Sequence, residues 1–362
     1  MSLTSTFLTD GGQSALAVAE LLGAHLEKAT RSLEVAIYDL KLDGPPGEVV
    51  RRAVHSATAR GVEVRMVFNQ EHVRQRPLPP PGFVDWDYLH SLRVSSRAIP
   101  GSPDLMHHKY VVRDAGTEAA AVWTGSTNWT GDSWTREENV VIRVADPGVA
   151  ALYLANFEEL WATGSVRHSG HQPTTWFEPG QGLRVRPYFT PGRADKLVHE
   201  VAQRIATARR RVRVCSPVLT SGPVLASLTE ALGDVDVLGC CDGTQMEEVM
   251  RQWALRPASA WKREAWRMLR ATAPWGAKPS TPYSPGSVHD FMHAKCVVAD
   301  DTVFVGSFNF SHSGEDNAEN VLEVESAAVA DEFARYVEAV AVRYGARPVS
   351  APAAEGVKAP AR

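Results

Sequence analysis

The pattern His-x-Lys-x4-Asp occurs twice in the chain, at His107, Lys109 and Asp114 and again at His293, Lys295 and Asp300. Each copy is followed by a short apolar run ending in Gly-Ser-x-Asn, at Gly125, Ser126 and Asn128 and at Gly306, Ser307 and Asn309, and then by a Glu-Asn step at Glu138 or Glu319. The interval from Asn to Glu is ten residues in both copies. A repeat of this kind constrains the chain to two like halves, because each copy needs the same local surroundings.

The repetition reaches beyond the motifs. "FLTDGGQSALAVAELLGAHLEKATRSLEVAIYDL" predicts a turn, an amphipathic helix over 14–29 and a strand over 33–38, and "YFTPGRADKLVHEVAQRIATARRRVRVCSPVL" predicts the same order with a helix over 194–208 and a strand over 212–216. Further β-rich runs lie at 62–68 and 235–240, and helices at 149–161 and 327–344 close the two halves. Strands alternating with helices give an α/β fold of two lobes related by a pseudo-two-fold axis, each a mixed β-sheet flanked by helices. With 44% hydrophobic residues in 362, the chain can build two sizeable cores. The first lobe is expected over 1–162 and the second over 183–345. Residues 163–182, rich in Gly, Ser, Thr and Pro, read as a linker, and residues 346–362 as a flexible tail.

A formal net charge of −4 gives no global attraction to polyanions, so any grip on phosphate has to be local. No run approaches the 18 or so apolar residues of a spanning helix, and "MSLTSTFLTDGG" has neither the basic region nor the apolar core of a leader, so a cytoplasmic location is expected. Cys215, Cys240, Cys241 and Cys296 read as reduced core thiols.

The chemistry of the motifs points to phosphate. Alternation along a strand puts His107 beside Lys109, and His293 beside Lys295, on one face. Gly125 and Gly306 allow close backbone approach to a ligand, while Ser126, Ser307, Asn128 and Asn309 offer neutral donors for phosphoryl oxygens. His108 starts no such motif and faces the other way. His168 and His171 lack further metal ligands and read as a solvated linker.

At these residues the sequence resembles the phospholipase D superfamily, whose signature is a duplicated His-x-Lys-x4-Asp followed by Gly-Ser-x-Asn. The resemblance covers essentially the whole chain, with a longer Asp-to-Gly interval in the first copy, where "AGTEAA" reads as an enlarged hairpin. It implies one active site where the lobes meet, with a histidine from each. Displacement at phosphorus asks for the same pair, a nucleophile on one side and a proton donor to the leaving oxygen on the other. Family precedent makes His107 the nucleophile that forms a phosphohistidine and His293 the acid and base, with the reverse assignment open by pseudosymmetry. Lys109, Lys295, Asn128 and Asn309 would hold the non-bridging oxygens, with Ser126 and Ser307 helping. The family pattern makes the carboxylates of Glu138 and Glu319 fix the tautomers of the two histidines. Asp114 and Asp300 are expected to be structural, and no metal or cofactor is required, since the lysines supply positive charge.

The substrate class is approached through an insertion over 251–278, "RQWALRPASAWKREAWRMLRATAPWGAK", with seven Arg or Lys against one Glu. Trp261 and Trp266 among these cations could stack bases, which favours a nuclease acting on DNA or RNA, or could sit at a lipid interface. The phospholipid alternative, a hydrolase or transphosphatidylase, is weakened in sequence by the absence of an evident anchor. A catalytically silent binding module is disfavoured by the complete pair of motifs. A Pro-rich loop over 71–89 is a second candidate wall for the substrate.

Overall fold

The protein is described by a computed structural model covering residues 2–70, 84–180, 182–282, 284 and 286–347. The calls on the tail beyond 347 and on the 71–83 part of the Pro-rich loop lie outside the described residues.

The first half contains strands β1 (Ser2–Leu8), β2 (Ser32–Ile37), β3 (Leu40–Lys41), β4 (Glu63–Asn69), β5 (Ser95–Ile99), β6 (Lys109–Arg113), β7 (Ala121–Gly125), β8 (Trp129–Thr130) and β9 (Asn139–Ala145). The second contains β10 (Phe177–Gly180), β11 (Leu183–Phe189), β12 (Arg211–Ser216), β13 (Asp236–Asp242), β14 (Trp275–Lys278), β15 (Cys296–Ala299), β16 (Thr302–Gly306) and β17 (Asn320–Glu325). The first sheet runs β1-β9-β7-β6-β2-β4-β5, and the second runs β11-β17-β16-β15-β12-β13-β14 with β10 added outside β11. Strand for strand the two orders are the same, and both sheets mix parallel with antiparallel pairs. The stretch read as a linker is therefore partly structured: it supplies the edge strand β10, while His168 and His171 stay exposed.

Burial explains the local choices. The helix Ala15–Glu27 starts at Ser14, whose hydroxyl accepts the Ala17 N–H, and buries Val18, Leu22 and Leu26 at helical spacing. Strand β2 is buried at five of its six positions because helices cover one of its faces and the shared core the other. Each lobe has an outer core of its own. A third core belongs to both lobes: Tyr153 and Phe157 from the helix Pro147–Thr163, and Phe333 and Val337 from the helix Ala327–Arg343, join Val112, Ile142, Val298 and Val324 from the two sheets. All four cysteines are buried and unpaired.

Asp114 and Asp300 end the hairpin strands with left-handed backbones, at φ of 52° and 51°. Each carboxylate accepts three consecutive backbone N–H groups, from Thr30, Arg31 and Ser32 for Asp114 and from Arg209, Arg210 and Arg211 for Asp300. The motif aspartates thus clamp the entry to β2 and to β12. Burial pushes the Asp114 carboxyl up, yet these donors outweigh it and hold it below the ordinary range. Its stabilisation is therefore present above the ordinary carboxyl range and lost as pH falls through the lowered value. Asp114→Ala should cost about 3 kcal/mol, roughly 1 kcal/mol for each donor left without a partner, read as a lower midpoint in chemical denaturation.

Candidate active site

The lobes are stitched together where the two histidines stand. His107 N–H donates to Ala318 O at 2.9 Å, Ala318 N–H to Leu105 O at 2.8 Å, His293 N–H to Glu138 O at 3.1 Å, and Glu138 N–H to Phe291 O at 3.3 Å. Each histidine backbone is held by the opposite lobe. Lys109 Nζ donates to the His107 carbonyl and Lys295 Nζ to the His293 carbonyl, which keeps each ammonium beside its own imidazole. His107 meets the edge of the Tyr38 ring at 4.6 Å, and Lys109 Nζ lies 4.8 Å from the same ring centre. His108 is fully buried against Tyr110 and Phe189 and plays no part.

The groups that orient the imidazoles also cross between lobes. His107 Nδ1 lies 2.8 Å from both carboxylate oxygens of Glu319. His293 Nδ1 lies 3.2 Å from Asn139 Oδ1 and 3.2 Å from Glu137 Oε2. Asn139 Oδ1 already accepts the Ser126 hydroxyl at 2.6 Å, so its amide oxygen faces His293 and the imidazole proton sits on Nδ1.

The expectation for Glu138 is corrected by this geometry. Its carboxylate accepts from Tyr344 Oη at 2.6 Å and from the Asp10 N–H at 3.2 Å, on the far side of the strand from His293. Strand register gives the reason: Val140 N–H reaches Ser126 Oγ across 14 residues, whereas Asn320 N–H reaches Ser307 Oγ across 13. The first lobe carries one more residue, so the counterpart of Glu319 is Asn139, and that of Glu138 is Ala318. In the second lobe Asn317 Nδ2 supports the Glu319 carboxylate, and in the first Asn139 Nδ2 supports Glu137. Amide and carboxylate have exchanged places.

Ser126 and Ser307 are fully buried, and both hydroxyls are committed to the strand behind them, where Ser126 holds Asn139 and Val140 and Ser307 holds Asn320. They position the orienting groups and offer nothing to a ligand. Gly125 and Gly306 are needed for the same strand: a Cβ would stand 2.1 Å from Val140 O or 2.0 Å from Asn320 O. Close approach is to the neighbouring backbone, a different reason from the one expected. The side-chain amides of Asn128 and Asn309, in contrast, form no hydrogen bond among the described residues, and both Oδ1 atoms are buried without a partner. Matched unsatisfied amides in both lobes suit an incoming polar group.

Burial dominates the electrostatics. It lowers Lys109 to about 7 against Glu319, Asp39 and Glu137, which pull the other way. Lys295 is held well below the lysine range by burial and then by Lys109. Burial, followed by Lys295, Lys109 and His107, pulls His293 below the ordinary imidazole range. Burial raises Glu319 to about 8, against Lys109, Ser307, Lys295 and Asn317. Two lysines and two histidines share one buried place with the carboxylates of Glu319, Glu137 and Asp39, and it is burial that pulls the lysines down. An anion entering there would restore the lysine charges.

The two tryptophans part company. Trp266 is 7% exposed and meets the Trp275 ring edge-on at 5.6 Å in the outer core of the second lobe, so it cannot stack on a base. Trp261, on the outer face of the helix Ala260–Thr272, is 48% exposed together with Met268 and Leu255. Most of the insertion lies in the β13-to-β14 crossover, which corresponds in the first lobe to the connection between β4 and β5 that carries the helix Trp86–Ser91. Glu137, Asn139 and Tyr38 belong to the site although the sequence reading passed over them, and the doubled glutamate of "REEN" was the available signal. Among the described residues no group of three or more His, Cys, Asp or Glu is placed to hold a metal ion, and no helix is long and apolar enough to cross a membrane.

Comparison with known proteins agrees with this geometry. The chain matches the family described as cardiolipin synthase, PLD-like domain, in two copies, over residues 22–161 and 201–341. It is 31% identical over 139 residues to the mitochondrial cardiolipin hydrolase of Xenopus tropicalis and 30% identical over 155 residues to that of Xenopus laevis, matches covering 38% and 42% of this chain. It spans 57% and 62% of those relatives' own length. Among solved structures it is similar to the phosphatidylserine synthase of Haemophilus influenzae, with a TM-score of 0.66 at 12% identity, covering 95% of this chain and 86% of that one. The polyphosphate kinase of Porphyromonas gingivalis shares the fold with a TM-score of 0.55 at 12% identity, over 93% of this chain and 50% of that one. Two copies of one domain, meeting at paired His-Lys strands, place the chain in the phospholipase D superfamily, in its cardiolipin synthase-like PLD family.

Proposed function

We propose that the protein is a phosphodiesterase of phospholipids that works through a phosphohistidine, hydrolysing its substrate or passing the phosphatidyl group to an alcohol. The observation that carries the chemistry is the crossed pair of imidazoles, each with Nδ1 held by a group of the opposite lobe. His107 is assigned as nucleophile: a phosphorylated imidazole carries positive charge, and the Glu319 carboxylate lies against it on both oxygens. His293, held by the Asn139 amide and the Glu137 carboxylate, gives a proton to the leaving alcohol and then takes one from water or the acceptor. Lys109, Lys295, Asn128 and Asn309 face the non-bridging oxygens and offset the charge that develops on them.

The lipid reading is supported by the family's cardiolipin synthase description and by relatives named cardiolipin hydrolases. The nuclease reading drew in part on two tryptophans of the basic insertion stacking bases, and one of them is core. Exposed Trp261, Met268 and Leu255 among arginines suit the headgroup layer of an anionic membrane.

Purified protein in EDTA is to be given mixed phosphatidylcholine and phosphatidylglycerol vesicles and, separately, a labelled single-stranded oligonucleotide, with His107→Ala as blank. The expected result is headgroup release or lipid exchange, with the oligonucleotide intact. Trp261→Ala should lose about tenfold on vesicles, as expected when roughly 1.4 kcal/mol of interfacial binding is removed, and much less on a soluble phosphodiester. Oligonucleotide cleavage absent from the blank, with intact lipid, would return the protein to the nucleases.

A further inference from the structure

A cleft of about 550 Å³ opens beside the paired motifs, lined from the first lobe by Asp39, Lys41, Asp43 and Asp132 and from the second by His289. None of the motif residues lines it, and it borders their neighbours from both lobes. Asp39 follows Tyr38, whose ring packs on His107, and it is close enough to Lys109 and Glu137 for their charges to be felt. His289 lies within electrostatic reach of His293.

Asp39 is the unusual member. It is 7% exposed, lines the cleft, and its carboxyl forms neither a hydrogen bond nor an ion pair among the described residues. Its oxygens open on the cleft, where they can meet an incoming group. Pseudosymmetry does not require it: Ala36 pairs with Tyr110 as Cys215 pairs with Cys296, so the corresponding position in the second lobe is Val218. Around it the cleft is acidic. Asp43 is exposed at the rim, Asp132 is partly occupied by Arg136 at 3.2 Å and by the His289 N–H at 3.0 Å, and Lys41 is the opposing cation.

We infer that this cleft is the subsite for the alcohol of the reaction, and that Asp39 selects an alcohol carrying a protonated amine. The inference rests on the phosphodiesterase reading above. In a double displacement the leaving alcohol and the acceptor alcohol occupy the same side of phosphorus, opposite the nucleophile. In the first step the bond from phosphorus to the leaving oxygen breaks as the bond to His107 Nε2 forms, and that oxygen takes a proton from His293. In the second, the acceptor oxygen gives its proton to His293 and displaces His107, so nothing is oxidised or reduced. A single acidic subsite therefore serves both a departing headgroup and an entering acceptor. It favours an amino alcohol over a neutral diol and disfavours an acidic alcohol. Burial raises Asp39 to about 7, Glu137 adding to the rise and Lys109 and Lys41 opposing it. A bound ammonium would draw it back to the carboxylate.

The test uses the full chain and bis(para-nitrophenyl) phosphate as donor, with ethanolamine, ethylene glycol or glycolate as acceptor, and measures the ester formed with each. Wild type should favour ethanolamine over ethylene glycol by about tenfold, and Asp39→Asn should reduce that preference to about twofold or less. A parallel arm compares headgroup release from phosphatidylethanolamine and phosphatidylglycerol vesicles. A preference there assigns the subsite to the leaving headgroup, and a preference confined to the transfer arm assigns it to the free acceptor. Binding of ethanolamine to His107→Ala by ligand-observed NMR, with and without Asp39→Asn, needs no turnover. Failure of all turnover would thus remove the phosphodiesterase reading, while the NMR result still judges the subsite. No amine preference in either arm together with no ethanolamine binding would overturn the inference, as would a preference or a binding signal that Asp39→Asn retains.

Discussion

His107→Ala is expected to lose turnover and covalent labelling together, by about ten-thousand-fold or more, because no other side chain in the site can replace the attacking nitrogen. The variant at the other histidine should behave differently. His293→Ala leaves His107 and its Glu319 partner in place, so a diester with a good leaving group should still phosphorylate the protein and then stall. Rapid quench with radiolabelled bis(para-nitrophenyl) phosphate distinguishes the two: acid-labile, base-stable label accumulates in His293→Ala and is absent from His107→Ala. Label retained in His107→Ala and absent from His293→Ala would exchange the roles, and near-wild-type turnover in either variant would remove the shared site.

The second large effect separates geometry from spacing. Glu319→Gln should lower kcat by about 10²–10³-fold, since the imidazole loses the negative charge that offsets its phosphorylated form. Glu138→Gln, at the same interval from its own motif asparagine, should change kcat by less than about threefold, because its carboxylate faces Tyr344 and the Asp10 backbone. Glu137→Gln lies between them: it removes a charge 3.2 Å from His293 while Asn139 still holds the ring. Steady-state kinetics of the three variants on one soluble diester decides the order. A large loss in Glu138→Gln with little in Glu319→Gln would contradict the crossed arrangement.

Much of this architecture was legible because the repeat, the helix and strand periods and the motif residues all point to two like lobes. The order of helix and strand in "GGQSALAVAELLGAHLEKATRSLEVAIYDL" is what the fold shows, and the structural reading of Asp114 and Asp300 agrees with their three backbone donors each. What sequence could not carry was register. Equal intervals from Asn128 to Glu138 and from Asn309 to Glu319 suggest equivalence, yet one added residue before β9 turns Glu138 outward, because side chains alternate along a strand. The tryptophans failed for a related reason. Trp261 and Trp266 lie five residues apart on one helix, far enough round to point one at solvent and the other at Trp275. Serine and glycine of the motif looked like ligand contacts because their chemistry allows it, and only the strand behind them shows the more immediate use.

Because each imidazole is braced by the other lobe, the molecule cannot work as a clamshell. Parting the lobes would sever the backbone bonds at His107 and His293, uncouple both rings from Glu319 and Asn139, and expose the core shared by the two long helices. The catalytic machinery would be dismantled by the very hinge that admitted the substrate. A diester therefore has to reach the two histidines with the lobes still joined along that seam.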